Sequence, residues 1–465
     1  MNDDAPRATT VAMPTLLGDA AQRSAAYLDS LGRRPVRPDP AAIRQLARLD
    51  QPLPDTPTDP ASVLALLDEL VSPATMAMAG SRFFGFVIGG SLPAALAANW
   101  LAGAWDQNAA LAKASPGVAR VEAVALRWLL DVLGLPAQAE GAFVTGATMA
   151  NFTALAAARH VVLSRAGWNV EADGLFGAPP ITVIVGEEAH PTLLKSLGLL
   201  GLGRNRVVRV PTDHRGRMRA DQVPPLAGPT IVCLQAGNIN TGAFDPFGEI
   251  CPAARLAGAW VHVDGAFGLW ARAAPELAPL ADGVELADSW ATDAHKWLNV
   301  PYDSGLAFVR EPGALPAAMA ITAEYLPAHQ VERSPADFTP ELSRRARGVE
   351  VWAALRSLGR SGLAELFERN CRQARRFAAL LAAAGYEILN DVVLNQVLVS
   401  FGSPDTTQRV IDAIQADGTC WCGGTVWQGR KAMRISVCSW ATTDADVELS
   451  AMAMLRVARC VGSRS

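Results

Sequence analysis

From Gly141 onward the chain alternates short apolar runs with longer stretches of helical periodicity, and this alternation constrains the fold more than any other feature. The runs at 142–145, 181–185, 207–210, 230–235, 260–263, 289–292 and 305–309 are mostly continuous rather than alternating in polarity. A continuously apolar strand has both faces covered, the condition of a parallel sheet packed between helices. The pattern therefore predicts an α/β fold whose large domain holds a doubly wound, mostly parallel sheet.

Beyond about Arg345 the pattern changes to a long helix over 349–384 and strands near 386–389, 395–401 and 432–437. That reads as a smaller α+β C-terminal domain. Residues 1–75 hold two helical patterns, 16–31 and 61–71, around a proline-rich connector that cannot form a core alone and is expected to wrap another surface. The expected division is an arm at 1–75, a large domain at 76–345 and a small domain at 346–465.

Half of the 465 residues are hydrophobic, ample for a large core. The net charge of −4, with no basic stripe, argues against a nucleic-acid partner. Seven scattered cysteines and an N-terminus without a basic-then-apolar layout point to free thiols in a reducing cytoplasm. Cys420 and Cys422 lack a partner pair at ligand spacing, so no metal is expected. Residues 83–105 are uncharged and long enough to cross a bilayer. Their glycines, Pro93, Asn99 and many alanines instead suit a buried loop running into a core helix, and no membrane span is expected.

In open α/β sheets ligands bind outside the carboxyl ends of strands, and the unusual residues fall there. After the first strand, Gly146, Ala147 and Thr148 lead into a helix expected over 152–164, whose N-terminus offers N–H groups to an anion; an ordinary helix cap fits the same residues. After the second comes His190, either a satisfied core histidine or a ring stacked on a planar ligand. Asn238 lies in a polar turn after the fourth. Asp264, with Gly265 and Ala266, ends the fifth, where a carboxylate needs a cationic partner. The sixth delivers His295 and Lys296. A lysine among apolar residues is either an accident of the surface or a nucleophile. An anion cradle, a flat ring, a buried carboxylate and a strand-end lysine together suit pyridoxal 5'-phosphate.

The segments TGATMANFTALAAAR, EEAHPTLLKSLGLLGLG, NINTGAFDPF, WVHVDGAFG, SWATDAHKWLNVPYDSG and MRISVCSWATTDADVE resemble the group II pyridoxal-phosphate-dependent amino acid decarboxylases, the family of the glutamate, aromatic and tyrosine enzymes. The likeness runs from about Phe83 to the C-terminus, with Ser304 where cysteine or alanine is more usual. It implies the type I fold, an obligate homodimer with active sites between subunits, and decarboxylation of an L-amino acid to its amine and CO2. By the same resemblance Lys296 would link covalently to the coenzyme, Asp264 would pair with its ring nitrogen, and His190 and Ala266 would cover its two faces. Ala147, Thr148 and His295 would contact phosphate, Asn238 would stand where a threonine is common, and Arg434 would hold the substrate α-carboxylate.

Many members carry a loop tyrosine that protonates Cα. The matching stretch here, 328–342, has none; Phe338 is its aromatic, and Tyr325 lies upstream in a structural setting. His190, His295 or Lys296 would then donate the proton, or the product would be an aldehyde formed with oxygen. An aminotransferase or another lyase of the same fold is a further alternative, opposed by the His-Lys-Trp signature. Gly85, Gly89, Gly90, Trp105 and Gln107 are expected to line the mouth. No second arginine is dedicated to an acidic side chain, which tilts the expectation toward aromatic substrates.

Overall fold

The computed structural model describes residues 12–321 and 333–463. Seven strands form the large sheet: β1 (Glu140–Val144), β2 (Thr182–Gly186), β3 (Val208–Val210), β4 (Thr230–Gln235), β5 (Trp260–Asp264), β6 (Ser289–Asp293) and β7 (Gly305–Val309). Their order is β1-β7-β6-β5-β4-β2-β3, an α/β arrangement that is parallel from β3 through β6. β7 alone runs against both neighbours. The reversal has a local cause: residues 294–304 join β6 to β7 directly, too few for the helical crossover a parallel return requires. That short connection carries His295 and Lys296.

The helix Ala147–Arg165 packs across β5, β6 and β7. Ala150, Ala154, Ala156, Ala157 and Ala158 are all buried, and such small side chains let its axis lie close to the sheet. It starts five residues before the start expected at 152, because Asp293 on β6 accepts its first N–H from across the sheet. A cap supplied by a distant strand leaves no local signal. Gly305 permits the same closeness: a Cβ there would sit 2.4 Å from Gly146 Cα.

The long helix Gly348–Ala383, broken at Gly359, leads to a four-stranded antiparallel sheet. Its members are β8 (Glu387–Ile388), β9 (Gln396–Ser400), β10 (Gly423–Trp427) and β11 (Arg430–Ser436), in the order β10-β11-β9-β8. β10 is an addition to the expected strands. Its two leading glycines weaken the strand signal, and it forms as an edge zipped to β11 through Gln428-Gly429, both at positive φ as a tight hairpin needs.

The N-terminal region packs differently. The helix Met13–Ser30 buries no residue and Pro60–Leu70 buries only Leu70. The helix Pro93–Trp105, expected in the core, buries only Ala95 and leaves Trp100, Leu101 and Trp105 exposed. Its lack of charge comes from an uncovered apolar face rather than from burial within its own chain. Among the described residues no helix is long and apolar enough to cross a membrane, and no acid, histidine and thiol cluster suits a metal ion. All seven cysteines are unpaired thiols.

Candidate active site

The residues that carry chemistry meet where β1, β2, β5 and β6 end. β6 finishes in Asp293, which is buried and organises the turn beyond it. Its Oδ2 lies 2.9 Å from Lys296 Nζ, and its Oδ1 accepts the Ala147 amide at 2.5 Å and stands 3.5 Å from His295 Nε2. The carboxylate makes a mostly buried ammonium tolerable. Asp293 is absent from the residues expected from sequence, although it stands three positions before the lysine. The loop before Pro93 closes over this turn, and a Cβ on Gly89 would sit 2.4 Å from the Lys296 carbonyl oxygen.

His295 is fixed by the same connection. The Ser304 amide donates to Nδ1 at 3.0 Å, so the neutral ring carries its proton on Nε2. Burial lowers its pKa, Lys296 lowers it further, and Asp293 and Asp303 oppose the shift. The Tyr302 ring covers the imidazole at 4.4 Å between centroids and 31° between planes. Tyr302 too is absent from the expected set. Burial pushes its phenol up to about 12, so it keeps its proton at neutral pH.

His190 caps the helix Pro191–Leu199, with Nδ1 accepting the Thr192 amide at 3.3 Å. Burial lowers its pKa; Asp264 and Asp293 raise it, and Lys296 and Arg434 lower it. One imidazole thus feels the charges of three expected site residues, which sets His190, Asp264, Lys296 and Arg434 around a common space. Asp264 accepts the Ala266 amide on Oδ1 at 3.2 Å and Asn151 Nδ2 on Oδ2 at 3.1 Å. Arg434, on β11 of the small sheet, donates to Asn240 Oδ1 at 3.3 Å and has no ion pair among the described residues. Burial without a counter-charge lowers its guanidinium to about 10.

Other expected residues either shape the turns around this point or lie apart from it. Asn238 holds its own turn, accepting the Asn240 and Thr241 amides on Oδ1. Thr148 sits in the first helical turn, where its carbonyl accepts the Ser196 hydroxyl at 2.8 Å. The space beside Gly85 is filled by Trp421, whose ring a Cβ would meet at 2.2 Å. Trp105 and Gln107 are exposed. Phe338 is a core residue under the Arg333 guanidinium, 3.8 Å from its ring centre, and Tyr325 lies outside the described residues.

The pyridoxal-dependent decarboxylase conserved domain matches residues 40–402. The chain belongs to the pyridoxal-dependent decarboxylase family. It is similar to tryptophan decarboxylase 1 of Oryza sativa subsp. japonica, with 28% identity over 88% of this chain and 87% of the relative. It is also 26% identical to the 4-hydroxyphenylacetaldehyde synthase of Rhodiola rosea, over 87% and 86% of the two chains. A crystal structure of Oryza sativa TDC with PLP and tryptamine superposes with a TM-score of 0.88, at 24% identity, covering 96% of this chain and 97% of that one. The protein is therefore a carboxy-lyase that uses pyridoxal phosphate to decarboxylate an amino acid. Its residues fit that coenzyme: a lysine held just beyond a strand end, a buried carboxylate at the end of the neighbouring strand, and the buried Ser304 hydroxyl beside His295 with no hydrogen-bond partner among the described residues.

Proposed function

We propose that the enzyme decarboxylates an aromatic L-amino acid to its amine, at a site completed by a second copy of the chain. Arg434 carries the substrate reading. It is a partly buried guanidinium without an acidic partner among the described residues, matched to one carboxylate. One charge for one carboxylate leaves an uncharged side chain as the match. The relatives named for tryptophan and 4-hydroxyphenylacetaldehyde support the aromatic class.

Bound pyridoxal phosphate supplies an electron sink for the pair left at Cα when CO2 departs. Lys296 would hold it through the ε-amine, and Asp264 would accept a hydrogen bond from its ring nitrogen. His190 and Ala266 would bracket the ring, and the helix start at Ala147 and Thr148 would hold its phosphate together with His295. Arg434 orients the substrate carboxylate. His295, neutral and protonated at Nε2, offers that N–H as a hydrogen-bond donor beside Lys296, with the Tyr302 ring packed over it. Asn238 acts on the coenzyme only through the turn it shapes.

The exposed Leu17, Trp100, Leu101 and Trp105 give the apolar surface a homodimer would cover. We also propose the division at 75 and 345, because the two sheets fall on either side of 345, and a cytoplasmic setting, which suits seven free thiols. A panel of amino acids assayed for CO2, amine, oxygen uptake and peroxide tests the reading. Amine with CO2 from tryptophan, tyrosine or a close analogue supports it. Preference for glutamate, or one peroxide per CO2, overturns it in favour of an acidic substrate or of the aldehyde-forming reaction.

A further inference from the structure

Behind Asp264 lies a chain of buried polar groups that the reaction itself does not call on. Asn151 Nδ2 donates to Asp264 Oδ2 at 3.1 Å, and Asn151 Oδ1 stands 2.8 Å from His262 Nε2. His262 Nδ1 is 2.9 Å from Ser289 Oγ, which lies 2.9 Å from Trp260 Nε1. Each of these residues except Asp264 has at most 1% of its surface exposed, so each group depends on its neighbour.

The direction of every bond follows from the ends. A carboxylate accepts, so the asparagine turns its amide hydrogens toward Asp264 and its oxygen toward His262. Nε2 must then carry a proton. Burial holds His262 down to about 3, so its ring is neutral and Nδ1 accepts. Ser289 gives its one hydrogen to Nδ1 and takes the indole N–H on its oxygen. Every donor points one way, from Trp260 to Asp264, and bonds aligned in series strengthen one another.

We infer that His262 is a positioning residue that, through Asn151, holds Asp264 as an acceptor facing the coenzyme ring. This rests on the assignment of Asp264 to the ring nitrogen. It would make Trp260-Val261-His262-Val263-Asp264 a single device, with the histidine setting the carboxylate two residues on.

The test uses the holoenzyme and reads coenzyme dissociation, the absorption bands of the bound coenzyme, kcat, KM and Tm. His262→Phe is expected to weaken coenzyme binding about tenfold, the worth of one buried hydrogen bond. It should also redistribute the absorption bands and lower kcat with KM unchanged. His262→Gln, which can still donate to Asn151, should recover most of both. Ser289→Ala frees the ring to move its proton to Nδ1 and should reproduce the spectral change even if His262→Phe fails to fold. Wild-type dissociation and spectrum in Ser289→Ala and in folded His262→Phe would overturn the inference. Asp264→Asn separates the two layers. If it alters coenzyme binding while the others do not, only the positioning role fails; if it too is silent, the assignment of Asp264 fails.

Discussion

The carboxyl edge of the large sheet and the N-terminal surface from Met13 to Trp105 differ in what covers them. At the sheet edge, Asp264, Asp293 and Asn151 are buried and each polar group finds a partner within the chain. Along the N-terminal surface, helices of comparable apolar content bury one residue or none. The part of the site that one chain builds is held by many weak bonds at once. A surface that its own chain leaves open is held by whatever docks there. The contrast separates what one subunit does from what assembly adds.

The largest expected effect lies at the sheet edge. Lys296→Ala should lower turnover by at least about a thousandfold, because nothing else there can hold the coenzyme covalently. Thermal unfolding of the variant should stay near wild type, and steady-state decarboxylation together with a melting curve checks both. Asp264→Ala should cost about a hundredfold in kcat, the scale of removing a preorganised charge from a reacting centre. Arg434→Ala should instead act on binding, raising KM about tenfold or more with a smaller change in kcat. On the other side of the comparison, Trp100→Asp combined with Leu101→Asp should yield monomers by sedimentation, with Lys296 chemistry weakened rather than abolished. A dimer of wild-type activity in that double variant would mean the open surface is not the interface.

How far the sequence carried the fold divides along the same line. Continuous apolar runs placed all seven strands of the large sheet, since the same chain covers both faces of every strand but the edge strand β3. The reversed β7 was not visible in residue pattern, because direction is set by the short 294–304 link. The residues proposed for the site at 264, 295, 296 and 190 stood out in the sequence by their places at strand ends. Asp293, Asn151 and His262 were not. Their meaning lies in contacts with strands and helices up to 146 positions away, the span between Ala147 and Asp293. The exposed helix Pro93–Trp105 reads as core because an apolar face looks the same in sequence whatever covers it.

The smallest effect is a titration. His262, His190 and His295 all have pKa values below 6.5 in the folded chain, so the unfolded chain binds more protons as the medium is acidified. Stability is then fully present above about 6.5 and falls below it, by about 1.4 kcal/mol per pH unit for His262, which stays neutral throughout. Asp245, whose carboxyl burial pushes up to about 6, works in the opposite sense. Comparing denaturant unfolding of wild type and His262→Gln between pH 7 and 5 cancels the shared terms. The variant should show the shallower slope.

The central claim is a covalent one, and the chain tests it well because it has only four lysines, at 113, 195, 296 and 431. Borohydride reduction of the yellow holoenzyme, followed by peptide mass mapping, should find the pyridoxyl group on Lys296 in one-to-one amount. A label on Lys113, Lys195 or Lys431, or none on a protein that still turns over, would contradict the account.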